Sequence, residues 1–180
     1  VQGPLGKGFP LEGGFERHIM VAGGIGIAPF PALAKALVEK LSVNPEIVIA
    51  ARTADYVLLE EFFHDLGCKV HVATDDGSTG TKAYAAQMLE KIHPTSMDRV
   101  YVCGPMIMMS TTSDAAIAAG ANCLVALEAQ MACGDGACLG CVVESKKLLE
   151  GEKMVRVCCD GPVFDTRLID WQAHNTAYDR

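Results

Sequence analysis

The stretch His18-Ile-Met-Val-Ala-Gly-Gly-Ile-Gly-Ile-Ala-Pro29 decides the fold, because an apolar run breaks into closely spaced glycines and then directly into a helical pattern. A strand that ends in a glycine-rich turn and opens a helix is the start of a β–α–β unit. Gly23, Gly24 and Gly26 let the backbone turn tightly and approach a pyrophosphate, whose charge a helix N-terminus favours. Ile27 and Ala28 complete the turn, and Pro29 suits the first helical positions, where a missing N–H costs nothing. The stretch departs from G-x-G-x-x-G at its sixth position, which is Pro29. Taken alone it also admits the plainer reading of a tight β–α turn.

The same alternation continues to about Glu128. Five strands are expected, at His18–Ala22, Glu46–Ala51, Cys68–Thr74, Arg99–Cys103 and Asn122–Ala126. Between them lie helical patterns at Ala32–Leu41, Tyr56–Leu66, Lys82–Ile92 and Ile107–Ala119. Leu33, Ala36, Leu37 and Leu41 recur at helical spacing and would cover one face of the sheet. Right-handed crossovers then give an α/β fold, a doubly wound parallel five-stranded sheet that binds ligands at its carboxyl edge.

Two more loops fall at that edge. Cys103-Gly-Pro105 closes the fourth strand: Gly104 permits close approach, and Cys103 either lies against a nicotinamide ring or is simply a buried strand-end thiol. Met106, Met108 and Met109 read as packing residues of the next helix. After the third strand comes Thr74-Asp-Asp-Gly-Ser78, where Asp75 and Asp76 would hydrogen-bond ribose hydroxyls and repel a 2′-phosphate, favouring NAD over NADP. Arg52, after the second strand, pulls the other way or faces pyrophosphate.

Beyond Glu128 the texture changes to Met131-Ala-Cys-Gly-Asp-Gly-Ala-Cys-Leu-Gly-Cys141. With a later cysteine this is the C-x4-C-x2-C…C spacing of plant-type [2Fe–2S] sites. Gly134, Gly136 and Gly140 are expected at positive φ, bringing N–H groups to the sulfurs. Four thiolates also suit zinc, but zinc ribbons more often pair two C-x2-C knuckles. Cys133, Cys138 and Cys141 are the first three candidate ligands. The fourth is Cys158 or Cys159, of which an extended segment can present only one to the metal. A hairpin from Val142 to Val157 and a turn at Asp160–Pro162 complete a region of about fifty residues, small enough to need a metal staple. Cys68, Cys103 and Cys123 sit in apolar strand-like runs. Glu60, Glu61, His64 and Asp65 read as a solvated helix face.

The chain has 180 residues, half of them hydrophobic, enough for one ordinary domain and a small one. A net charge of −7 and a pI near 5.2, with no cluster of Lys and Arg, argue against nucleic acid. No run approaches the roughly 20 apolar residues of a membrane span. The first residues carry neither the basic nor the apolar region of a signal peptide, nor an initiator methionine, so a processed product or fragment is expected. Eight cysteines without secretory features point to a reducing cytoplasm.

Gly-Pro-Leu-Gly-Lys-Gly-Phe at 3–9, Gly-Gly-Ile-Gly-Ile-Ala-Pro at 23–29, Cys-Gly-Pro at 103–105, the cysteine loop and Val-Cys-Cys-Asp-Gly-Pro-Val-Phe at 157–164 together resemble the electron-transfer subunits of class B dihydroorotate dehydrogenase, in the ferredoxin reductase superfamily. The resemblance covers essentially the whole chain. It implies residues 1–17 as the exit segment of an FAD-binding barrel otherwise missing here, 18–127 as an NAD-binding domain, and 128–180 as a [2Fe–2S] domain. It implies Cys158 as the fourth ligand, FAD between nicotinamide and cluster with Gly3, Pro4, Leu5 and Gly6 touching it, and an FMN-containing dihydroorotate dehydrogenase catalytic subunit as partner. No catalytic acid or base is expected in such a chain, since the cofactors carry the chemistry. Related subunits of ferredoxin–NAD(P) oxidoreductases and sulfide dehydrogenases share the cofactors, often with an aspartate among the cluster ligands where this chain has Cys133. A zinc-stabilised nucleotide-binding module is the alternative of another class.

Overall fold

A computed structural model describes residues 3–146 and 154–173. The chain divides into two compact units: Pro10–Cys123, and a second made of the residues up to Phe9 with those from Leu124 onward. The strands are β1 Arg17–Gly23, β2 Glu46–Ala51, β3 Lys69–Thr74, β4 Thr81–Lys82, β5 Asp98–Cys103, β6 Asn122–Ala126, β7 Val142–Glu144, β8 Met154–Arg156 and β9 Val163–Asp165; the helices are α1 Phe30–Ala36, α2 Glu60–Asp65, α3 Ala85–Lys91 and α4 Met106–Ala118. Seven strands form one sheet in the order β4-β3-β2-β1-β5-β6-β9, and β7 and β8 form a separate hairpin. No helix among the described residues is long and apolar enough to cross a membrane.

The five expected strands are all present, and the sheet gains two short ones. Thr81–Lys82 adds in parallel to β3, and Val163–Asp165 adds antiparallel to β6. Both are too short to show a period-two pattern. Strand β1 is central: Val21 lies level with Val48 of β2 and with Val102 of β5. Every residue of β2 and β5 is buried, as a parallel sheet covered on both faces requires, and this is why residues 47–51 and 100–103 read as apolar runs behind the charged Glu46, Asp98 and Arg99.

The helices differ more from expectation. The first begins at Phe30 and passes after Ala36 into a π turn at Leu37–Leu41, closed by Ser42 at φ 56°. The second is confined to Glu60–Asp65, because Leu59 sits at φ 59° and blocks a continuous helix from Tyr56. The third cannot start at Lys82, which is paired with Thr74 of β3; it begins after Tyr84, whose N–H donates to Gln87 Oε1 at 3.0 Å. On α2, Glu61, His64 and Asp65 face solvent while Phe63 is fully buried, so its acidic face is a solvated one.

A charged cluster closes the amino edge of the central strands. Asp98 is fully buried; its carboxylate accepts from Arg17 Nη2 at 2.6 Å and Nε at 3.1 Å, and from the Thr95 N–H at 2.7 Å. Burial alone would raise its pKa, but Arg17 and Thr95 outweigh it and hold the carboxyl below its usual range. His18, 2% exposed, has its Nδ1 2.8 Å from the Tyr101 hydroxyl, and burial together with Arg99 pushes its pKa down. Both shifts act in one direction: the unfolded chain takes up protons first, so stability falls as pH falls. A first decline in Tm is expected below about pH 6.5, abolished by His18→Gln, and a second below about pH 4. At pH 7, Asp98→Asn is expected to remove about 3 kcal/mol in urea unfolding, the lower end of the range because Arg17 is partly exposed and keeps Glu46.

Candidate cofactor sites

In Pro10–Cys123 the strand order reverses between β1 and β5, the point where open α/β sheets bind ligands beyond their carboxyl ends. The loops that leave those two strands interlock there. Gly24–Ile27 forms a short 3-10 turn, with Ala28 N–H donating to Ile25 O at 3.0 Å. A Cβ on Gly26 would fall 2.6 Å from Gly104 Cα and nearer still to the Cys103 carbonyl oxygen; one on Gly23 would strike Met108 Sδ and reach 3.0 Å from Pro105 Cδ. Glycine is therefore required at 26 by contact with the backbone of the β5 loop, whereas at 23 the first obstacle is the flexible Met108 side chain of α4. Gly24 is at φ 53° with open space around its Cα. Ala28 is exposed and Pro29 half-buried at the start of α1; Ile27 is buried.

Cys103 is 3% exposed and Pro105 directly precedes α4. Of the three methionines, only Met109 is fully packed, whereas Met108 is half-buried against Gly23 and Gly104. Sequence reasoning missed that contact; the signal was the pairing of two glycine turns with a methionine one helical turn on. At the same edge, the loops after β2 and β3 are tied together: the Asp75 N–H donates to Ala51 O at 3.0 Å, and the Ala54 N–H to Ser78 Oγ at 2.7 Å. Asp76 accepts from the Ser78 N–H and hydroxyl at 2.9 and 2.7 Å, bonds that hold its carboxyl below the usual range. Asp76 thus shapes its own turn. Asp75 and Arg52 are exposed, and the Asp75 carboxylate has no hydrogen-bond partner among the described residues.

In the other unit the cysteine loop wraps its own sulfurs in backbone N–H groups. Cys138 N–H donates to Cys133 Sγ at 3.4 Å, Gly140 N–H to Cys138 Sγ at 3.3 Å, and Cys158 N–H to Cys141 Sγ at 3.4 Å. Gly134 and Gly136 have positive φ as expected. Gly140 does not; Leu139, at φ 57°, takes the left-handed position instead. Residues 157–160 form a turn rather than an extended segment, with the Asp160 N–H donating to Arg156 O at 2.9 Å. Cys158 and Cys159 therefore do not point to opposite faces. Cys158 is 3% exposed beside Cys141, and Cys159 packs on Gly136.

The four expected ligands come together as two pairs, Cys133 with Cys138 near solvent and Cys141 with Cys158 in the interior. Among the described residues no three metal-binding side chains converge on one point. The C-x4-C-x2-C loop with a fourth cysteine, delivered as two thiolate pairs, is a donor set that fits a [2Fe–2S] unit, which takes two thiolates on each of two irons. N–H groups of Cys133 and Gly140 bring the Cys138 thiol down to about 7, which favours the thiolate that binds metal. Contact with Cys141, burial and Cys159 push Cys158 up to about 12, a shift that a bound cation reverses. None of the eight cysteines is in a disulfide.

The N-terminal segment joins this unit. Lys7 N–H donates to Gly161 O, and a Cβ on Gly6 would lie 2.5 Å from Gly161 O and 3.1 Å from Cys158 O. Gly3, Pro4, Leu5 and Gly6 are all exposed.

A doubly wound nucleotide-binding unit followed by a four-thiolate loop defines a class, the NAD-linked reductases that carry an iron–sulfur domain. This chain belongs to the family described as the oxidoreductase NAD-binding domain, whose model matches residues 20–114, and residues 128–170 match the iron–sulfur cluster binding domain of dihydroorotate dehydrogenase B. It is 38% identical over 166 residues to the "Dihydroorotate dehydrogenase B (NAD(+)), electron transfer subunit" of Geobacillus sp. (strain WCH70), covering 91% of this chain and 62% of that one. The chain thus spans about three fifths of the length of the curated relatives it matches. A solved structure of an NADH-dependent reduced ferredoxin–NADP oxidoreductase superposes with a TM-score of 0.83 at 31% identity, over 97% of this chain and 61% of that one. A ferredoxin reductase of carbazole 1,9a-dioxygenase shares the fold, with a TM-score of 0.55 at 19% identity, over 62% of this chain and 36% of that one.

Proposed function

We propose that this chain is the electron-transfer part of an NAD-linked dihydroorotate dehydrogenase of the B type, an oxidoreductase subunit of pyrimidine biosynthesis that works in a reducing cytoplasm. Its partner is an FMN-containing catalytic subunit that interconverts dihydroorotate and orotate. The observation that carries the reading is the delivery of four cysteines as two pairs, downstream of a β1/β5 switch point, in a chain related along 91% of its length to subunits of that name.

When bound, the nicotinamide carries hydride, the flavin converts between paired and single electrons, and the cluster carries single electrons. The chain's own residues bind and orient. Gly23, Gly24, Gly26, Ile27, Ala28 and Pro29 line the pyrophosphate, with Cys103, Gly104 and Pro105 closing the pocket on the nicotinamide side. The Asp75 carboxylate is available to ribose hydroxyls, Asp76 holds the turn that presents it, and Arg52 meets phosphate. Cys133, Cys138, Cys141 and Cys158 would hold the cluster, Cys133 with Cys138 as one pair and Cys141 with Cys158 as the other. Gly3, Pro4, Leu5 and Gly6 reach FAD, whose remaining contacts belong to a barrel. In domain terms, residues 18–127 serve the nucleotide, 128–180 the cluster, and 1–17 the exit from that barrel. No side chain here is assigned acid–base work.

The 0.83 superposition favours a second reading, in which the same cofactors serve a ferredoxin–NAD(P) oxidoreductase. Anaerobic co-purification with an FMN-bearing dihydroorotate dehydrogenase subunit and an FAD-bearing barrel separates the two. The first reading expects iron, sulfide and orotate-dependent NADH oxidation that disappears without the catalytic partner. Ferredoxin-dependent turnover with no response to orotate would establish the second, and colourless protein with one zinc per chain would overturn both.

A further inference from the structure

The turn that carries Cys158 is held by a clamp that sequence reasoning did not single out. Arg156 Nε donates to Asp160 Oδ2 at 2.9 Å and Nη2 to Oδ1 at 3.0 Å, a bidentate pair, while the Arg156 backbone N–H donates to the same carboxylate at 2.8 Å. Two side chains four residues apart thus lock residues 156–160 around the buried Cys158. The third guanidinium nitrogen is turned elsewhere. Arg156 Nη1 lies 3.3 Å from where a Cβ on Gly136 would stand, and Cys159 Sγ lies 2.7 Å from the same point. Gly136, at φ 90° and buried, lies within the Cys133–Cys138 span. The guanidinium therefore lies beside both stretches that supply cysteines, and the Cys159 thiol, 3.9 Å from Asp160 Oδ1, lies between the carboxylate and Gly136.

We infer that Arg156 and Asp160 are positioning residues that join the two ligand-bearing stretches, and that their opposite charges, one on each side of Cys158, set the reduction potential of the group held there. The inference rests on the reading that Cys133, Cys138, Cys141 and Cys158 hold a [2Fe–2S] unit. A cation beside a centre that gains negative charge on reduction stabilises the reduced form, and the paired carboxylate weakens that effect. Removing the arginine leaves an uncompensated anion, and removing the carboxylate leaves an uncompensated cation. The two substitutions act in opposite senses, which disruption of packing does not produce.

The test is an anaerobic redox titration of the reconstituted chain, followed by paramagnetic resonance, with iron release to a chelator measured alongside. Arg156→Gln is expected to lower the potential, Asp160→Asn to raise it, and the double variant to return near the unaltered value. Arg156→Lys keeps the charge without the fork, so it is expected to hold the potential while releasing iron several-fold faster. Potentials that stay put, or that move the same way in both single variants, would overturn the inference while leaving the cluster reading intact. So would loss of the cluster from every variant, lysine included, since that assigns the pair to packing alone. An unaltered chain that binds no iron fails at the earlier reading instead.

Discussion

Gly26→Val is expected to weaken NADH binding by about 100-fold while leaving iron content unchanged. The effect follows from what the Cβ meets. It would stand 2.6 Å from Gly104 Cα and nearer to the Cys103 carbonyl, both backbone atoms at the end of a strand whose every residue is buried. Neither can give by rotating a side chain, so either the β1 turn or the β5 loop must move, and both belong to the nucleotide site. Gly24 provides the control within the same turn. It has open space and φ 53°, a conformation that asparagine accepts, so Gly24→Asn is expected to bind NADH within a few-fold of the unaltered chain. Equilibrium titration of nicotinamide fluorescence reads both. Equal losses at 24 and 26 would mean that chain flexibility, and not the interlock with the β5 loop, governs the site.

The contrast between those glycines also marks where the sequence is informative. Gly23, Gly24 and Gly26 are all visible as a turn, because closely spaced glycines after an apolar run have few other meanings. Which of them is held by tertiary contact is set by Met108, Cys103 and Gly104, some eighty residues away, and no local pattern encodes it. The central strands are legible for a related reason: Ile47, Val48 and Ile49 are buried on both faces and leave an unbroken apolar run. Thr81–Lys82 and Val163–Asp165 are only two and three residues long and leave no such mark. Helix limits were misplaced where one residue takes a left-handed backbone, as Leu59 does, or where a neighbour claims the chain, as β3 claims Lys82. In the cysteine loop, spacing identified the ligand types, but reading residues 157–160 as extended missed their turn. The cause is the Arg156–Asp160 clamp, an i,i+4 pair easily passed over beside two adjacent cysteines.

That turn gives the largest expected effect, because it separates two neighbouring thiols. Cys158→Ser is expected to lower bound iron and sulfide from about two each per chain to under about a tenth of that, with the visible colour lost, whereas Cys159→Ser keeps both. Cys158 lies in the interior beside Cys141, and its own N–H donates to the Cys141 sulfur; the pair forms the buried half of the donor set. Cys159 is half-buried with its sulfur packed on Gly136, so it cannot replace its neighbour without unseating the loop that carries Cys133 and Cys138. Cys138→Ser is expected to abolish iron binding as fully as Cys158→Ser, since each iron needs both members of its pair. The unaltered protein should yield iron to a chelator first from the Cys133–Cys138 side, where Cys138 is exposed. Metal and sulfide analysis under strict exclusion of oxygen reads every variant. Iron retained in Cys158→Ser but lost in Cys159→Ser would exchange the roles of the two cysteines, and the interior pair would then have to form between Cys141 and Cys159.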